Sequence, residues 1–239
     1  MKLIIWIIIG SMMFILNTLL ITTMADWFIV GFAHPVRKKL CRAKRSGEPA
    51  KPCEKGFREP YNKEQDRLYD KEYLITAPNR MDKQKSTECS GFATAYVFRS
   101  FGMEAEGNEL YGKMPGKLKN GAVLPKNVRK LVQGYGFPVR YVKGSLETLK
   151  ADLCEGNRVI VLIKTRPDKR WLHYVPIVGY DEEHIFIAES MKTLTNCKEY
   201  HYNRALANRD FLQLWDTRMC YMPFYKNTYL VIGQQTSSK

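Results

Sequence analysis

Cys89 opens the run CSGFATAYVFRSFG directly after the polar stretch QKSTE, and His173 comes much later, near the head of LHYVPIVGY. A thiol in the first turn of a helix feels the positive end of the helix dipole, which favours thiolate over thiol. Phe92, Ala93, Tyr96 and Val97 recur at three- and four-residue spacing. An amphipathic helix with that pattern would put Cys89 on the packing face, at the base of a cleft. Of the four histidines, only His173 stands at the start of an apolar strand: His34 lies beside an apolar N-terminal segment, His184 opens the next strand, and His201 sits in a tyrosine-rich loop. A thiolate and an imidazole base are what nucleophilic attack on a carbonyl carbon requires. The competing reading is a packed, inert cysteine and a core histidine.

Such a pair also needs a group to orient the imidazole and donors for a developing oxyanion. If Asp181, Glu182 and Glu183 form a three-residue hairpin loop, Tyr180 faces His184 and Glu189 faces Val175. Glu189 is then a diagonal neighbour of His173, close enough to hold its tautomer. A two-residue loop would turn Glu189 to the opposite face, with Asn196 in the next loop as the fallback. Gln84, five residues before Cys89, could add its side-chain amide to the Cys89 backbone N–H as an oxyanion donor.

The elements that must position these groups read as helices first and strands later. A helix is expected over 61–74, and another from Cys89 to about Phe101, ended at Gly102. A helix over 125–134 precedes the short strand PVRYV, and a helix over 145–154 precedes RVIVLIK, whose β-branched content marks a buried strand. LHYVPIVGY and HIFIAES read as a hairpin, DFLQLW as a helical turn and NTYLVIG as a closing strand. That order predicts an α+β domain over 61–239, a helical half followed by an antiparallel sheet half. No internal repeat or glycine-rich phosphate loop is present. The spacings offer no zinc pattern, and no cofactor is expected.

Upstream, residues 3–22 carry no charge and are long enough to span a bilayer. They read as an uncleaved anchor within residues 1–33, with a cleaved signal peptide as the alternative. Residues 34–60 read as a linker whose block Arg37, Lys38, Lys39, Arg42, Lys44 and Arg45 holds no acid. With a net charge of +14 over 239 residues, such a block suits an anionic membrane surface. A nucleic-acid arm is the runner-up, but no recognition module accompanies it, so nucleic acid is not expected as a partner. The expected placement is a single-pass membrane protein touching lipid through its N-terminal helix. The basic block argues for a cytoplasmic domain, and the MKLIIW start tips the reading toward the extracytoplasmic side. Six cysteines leave at least one thiol free if Cys89 is catalytic. Cys41 and Cys53 could bridge outside the cytoplasm.

The set QKSTECSGFATAYVFRSFG, LHYVPIVGYD and IFIAES resembles the papain-like cysteine peptidases that include bacteriocin leader-processing domains and their bacterial relatives. The resemblance covers roughly residues 80–232. It implies a papain-like fold, a peptide or protein substrate, and a site of Gln84, Cys89, His173 and Glu189. The chain departs from the pattern in three places. Glu88-Cys89-Ser90 stands where Asp-Cys-Gly is common, Glu189-Ser190 stands where Asp-Pro is common, and the Gln84-to-Cys89 gap is about one residue shorter. The expectation is a membrane-anchored cysteine-type peptidase. The alternatives are acyl transfer on the same fold, an inactive module that binds peptides at the membrane, and a nucleic-acid-associated protein.

Overall fold

The computed structural model describes residues 69–219 and 222–235. The expected anchor, the 34–60 linker, and Cys41 and Cys53 lie outside the described residues. Single-pass membrane placement is not supported: no helix among the described residues is long and apolar enough to cross a membrane. A span needs about 20 apolar residues, whereas the Cys89 helix has 12.

The chain runs β1 (Tyr73–Leu74), α1 (Cys89–Ser100), α2 (Gly107–Lys113), α3 (Pro125–Gly134), β2 (Val139–Lys143), α4 (Leu146–Cys154), β3 (Arg158–Lys164), β4 (Leu172–Tyr180), β5 (His184–Ile187), β6 (Arg204–Ala207), α5 (Asn208–Trp215) and β7 (Thr228–Ile232). One sheet has the order β2-β7-β3-β4-β5-β6, with β1 paired to the end of β4. Every pairing is antiparallel. This is a papain-like α+β fold. The helix expected over 61–74 is replaced at its end by β1, because Tyr73 and Leu74 complete the β4 ladder opposite Tyr180 and Gly179.

The uninterrupted apolar run of β3 follows from burial of both sheet faces. Ile160 and Leu162 enter a core shared with α1 and α3, whereas Val159, Val161 and Ile163 enter a second core with Leu149 and Leu153 of α4 and Phe211 and Trp215 of α5. The amphipathic pattern expected for α1 does not hold. Ten of its residues are buried, among them Phe92, Ala93, Tyr96 and Val97. A helix covered on nearly every side belongs to a core rather than to a surface. Phe98 stacks on Phe137 at 4.7 Å and leans on Tyr135 at 5.1 Å, and burying a side chain of that size contributes roughly 1.5–3 kcal/mol. Gly91 is what allows α2 so close: a β-carbon there would sit 2.3 Å from the Gly107 carbonyl oxygen.

The hairpin that carries the site differs from the expected one twice. Asp181 N–H donates to the His184 carbonyl (3.1 Å), and Tyr180 pairs with Ile185, not with His184. The register then shifts between Gly179 and Ile177, so that Ile177 faces Ile187. The bulge inserts one residue into β4 and cancels the one-residue difference in the turn. Ala188 N–H reaches the Pro176 carbonyl at 3.3 Å, and Glu189 arrives at its expected height beside His173.

Candidate active site

Cys89 is the first residue of α1, half-buried, with Sγ 3.9 Å from the Thr87 carbonyl oxygen. The first N–H groups of a helix have no partner within the helix, so an electrophile at the thiol meets backbone donors. No acidic residue lies in that first turn. The preceding Glu88 turns its carboxylate back to the Ser86 N–H at 2.6 Å.

His173 is the second residue of β4, opposite Ile163 of β3, and only 1 % exposed. Its Nε2 lies 2.6 Å from Glu189 Oε1, and the Cys89 thiol acts electrostatically on the ring. Burial works against a charged ring here. The hydrogen bonds and charges of Cys89 and Glu189 outweigh it and raise His173 from its ordinary 6.5 to about 9.

Glu189 is fully buried and its carboxylate meets three donors. Oε1 accepts from His173 and from the Met191 N–H (2.7 Å), and Oε2 accepts from Arg204 Nη1 (2.8 Å). Its main chain is clamped by Asn203, which accepts from the Glu189 N–H at 2.6 Å and donates to its carbonyl at 2.9 Å. Lys83 Nζ adds a bond to that carbonyl at 2.8 Å. Desolvation pushes the Glu189 carboxyl up, but His173, the Met191 N–H and Arg204 together hold it below its ordinary 4.5.

Gln84 lies at the edge of this group. Its main-chain N–H donates to the Ser190 carbonyl (3.1 Å), its Oε1 accepts from Ser190 Oγ (2.6 Å), and its Nε2 donates to the Ser86 carbonyl (2.5 Å). One amide hydrogen is therefore spent on the turn and one is left. The fold thus joins His173 to Glu189 by a hydrogen bond, sets Cys89 where it acts on the His173 ring, and ties Gln84 to the residue after Glu189. Asn196 is placed elsewhere, exchanging bonds with Ala205 of β6. Among the other described histidines, His184 pairs with Asp181 and His201 stacks edge-on with Tyr200.

Arg204 and Asn203 were not legible from the sequence. No spacing rule relates residue 204 to residue 189. The connection comes from the β5–β6 pairing, which sets Arg204 opposite Ile187, two residues before Glu189.

Comparison with known proteins places this fold. Residues 72–222 match the Peptidase_C39 like family. No curated relative matches the chain by sequence. The crystal structure of a C39-like peptidase from Bacillus anthracis is 14% identical and superposes with a TM-score of 0.54, over 70% of this chain and 100% of that one. The peptidase domain of Streptococcus ComA, a bi-functional ABC transporter involved in a quorum-sensing pathway, is 13% identical with a TM-score of 0.51, over 66% of this chain and 99% of that one. At such identities the shared feature is the fold. The family match covers more than half of the chain, and the chain therefore belongs to the Peptidase_C39-like family of cysteine peptidases.

Proposed function

We propose that the protein cleaves peptide bonds with Cys89 as nucleophile, His173 as acid–base and Glu189 as the group that orients His173. The observation that carries this reading is the buried His173 ring bonded to Glu189 Oε1, with the Cys89 thiol acting on the ring from the start of α1. The thiolate of Cys89 attacks the peptide carbonyl carbon, and the C=O electron pair moves onto oxygen. The Cys89 N–H and the remaining Gln84 amide hydrogen stabilise that oxyanion. Collapse of the tetrahedral intermediate breaks the C–N bond, and the His173 imidazolium gives its proton to the departing amine. A thioester remains. Neutral His173 then takes a proton from water, the hydroxide oxygen attacks the thioester carbonyl, and the carboxylic product leaves as the thiolate–imidazolium pair is restored.

Glu189 stays ionised through both half-reactions, because Arg204 and the Met191 N–H favour the carboxylate. Its part is to fix the ring and to stabilise the imidazolium. The test is digestion of a diverse peptide library by the purified protein and by Cys89→Ala. New peptide termini produced by the first and absent from the second are the expected result. Equal cleavage by both would overturn the reading.

A further inference from the structure

The stretch 110–146 contains eight lysines and arginines and not one aspartate or glutamate. Its first half, running from α2 into α3, is fastened to the residues beside both reacting groups. Tyr111 Oη meets Thr87 Oγ1 at 3.2 Å and donates to the Gly121 carbonyl at 2.8 Å, and Thr87 lies two residues before Cys89. On the other side, Tyr174 Oη, next to His173, donates to the Val123 carbonyl at 2.8 Å. Gly121, at φ +81°, packs so tightly here that a β-carbon would sit 2.5 Å from Thr87 Oγ1. The basic segment is therefore part of the wall around the thiol.

Four of its charges lie on exposed side chains. Lys113, Lys117, Lys119 and Lys130 are exposed, and no ion pair among the described residues engages them. Lys117 braces the loop by donating to the Tyr111 and Gly112 carbonyls at 2.9 and 2.8 Å. Glu109, one turn back on α2, is the carboxylate that acts on Lys113. Lys113 and Lys130 line one surface depression of about 280 Å³ with Tyr135 on its wall. Exposed cations gathered on a segment bonded to residues beside Cys89 and His173, with few carboxylates to answer them, raise the local concentration of anionic ligands and speed their capture.

We propose that this segment selects substrates, taking polypeptide segments rich in Asp and Glu and laying them across 113–130 while the scissile bond meets Cys89. The proposal rests on the peptidase reading above, but its binding arm does not depend on turnover. A peptide is favoured over nucleic acid or an anionic bilayer because the segment is bonded to Thr87, two residues before Cys89, and to Tyr174, next to His173.

The experiment uses the full chain carrying Cys89→Ala, so that ligands are held and not cut. Binding is measured for paired short peptides identical except for Glu in one and Gln in the other, for a mixed-sequence DNA duplex, and for vesicles containing phosphatidylserine. The Glu peptide is expected to bind about tenfold tighter than its Gln twin, a gap of about 1.4 kcal/mol that shrinks as salt is raised. Adding Lys119→Glu and Lys130→Glu, neither of which fastens the loop, is expected to erase that preference while the thermal midpoint stays within a few degrees. Equal binding of the two peptides, a preference that survives both substitutions, or tighter binding to DNA or vesicles would each overturn the proposal. In the active protein, cleavage without acidic preference would defeat this inference alone, whereas no cleavage with acidic preference intact would defeat the peptidase reading alone.

Discussion

The two halves of the site are held very differently. On the sheet, His173 and Glu189 are buried, and the carboxylate is met by a ring nitrogen, a backbone N–H and a guanidinium. On the helix, Cys89 is half-buried with one long contact from sulfur to the Thr87 carbonyl, and Gln84 commits one amide hydrogen to a neighbouring turn. The difference separates two tasks. In the proposed reaction the base must keep one orientation while it loses and regains a proton, so its surroundings are overdetermined. The proposed nucleophile must be reached by substrate, so its surroundings are open, and in the proposed reaction its backbone donors serve the oxyanion.

The comparison predicts unequal costs. Glu189→Gln should lower kcat by roughly 10³- to 10⁴-fold. It should also destabilise the fold by about 3–5 kcal/mol, because Arg204 would be left buried without its carboxylate. Steady-state kinetics and denaturant unfolding read the two effects separately. Gln84→Ala, on the open half, should lower kcat by about 10²-fold with an unfolding midpoint close to the parent's. If Gln84→Ala destabilised the fold as much as Glu189→Gln, the division would not stand.

The pH dependence follows from the same buried half. His173 sits at about 9 in the fold against an ordinary 6.5. The stability it contributes is therefore complete below 6.5 and is lost as pH rises through about 9. Glu189 is held below its ordinary 4.5, so its contribution is present above that value and is lost as pH falls through the lowered one. Thermal midpoints should pass through a plateau between these limits, and kcat/KM should fall above about pH 9 as the imidazolium loses the proton meant for the leaving amine. Arg204→Met should move that alkaline limb upward, because the Glu189 charge would no longer be offset by the guanidinium and would act more strongly on His173. An unmoved limb would make Arg204 a structural residue only. The smallest effect is expected at Gly121→Ala, where strain at positive φ and the close Thr87 contact should cost about 1–3 kcal/mol, read by unfolding.

Much of this arrangement was legible because burial leaves a pattern. β3 announces itself as RVIVLIK because both of its faces are covered, and α3 and α4 carry a proline start and a serine cap. Glu189 was placed beside His173 by counting through a turn that does not form as drawn, and the bulge in β4 restored the register. What stayed hidden had no local signal. α2 contains Gly107 and Gly112, poor helix formers, and Gly107 is there because a β-carbon would meet the Phe92 ring at 2.7 Å. β6 is four residues long with no clear alternation, so the strand that delivers Arg204 could not be read, and neither could its bond to Glu189.

The most direct test of the central claim, that Cys89, His173 and Glu189 act as one charged unit, is thiol alkylation followed residue by residue by peptide mass. Cys197 is the internal reference, a half-buried thiol pushed up by desolvation. At neutral pH Cys89 should react at least tenfold faster than Cys197, and His173→Ala should remove most of that advantage. A Cys89 that reacts no faster than Cys197, and whose rate is unchanged by His173→Ala, would contradict the account.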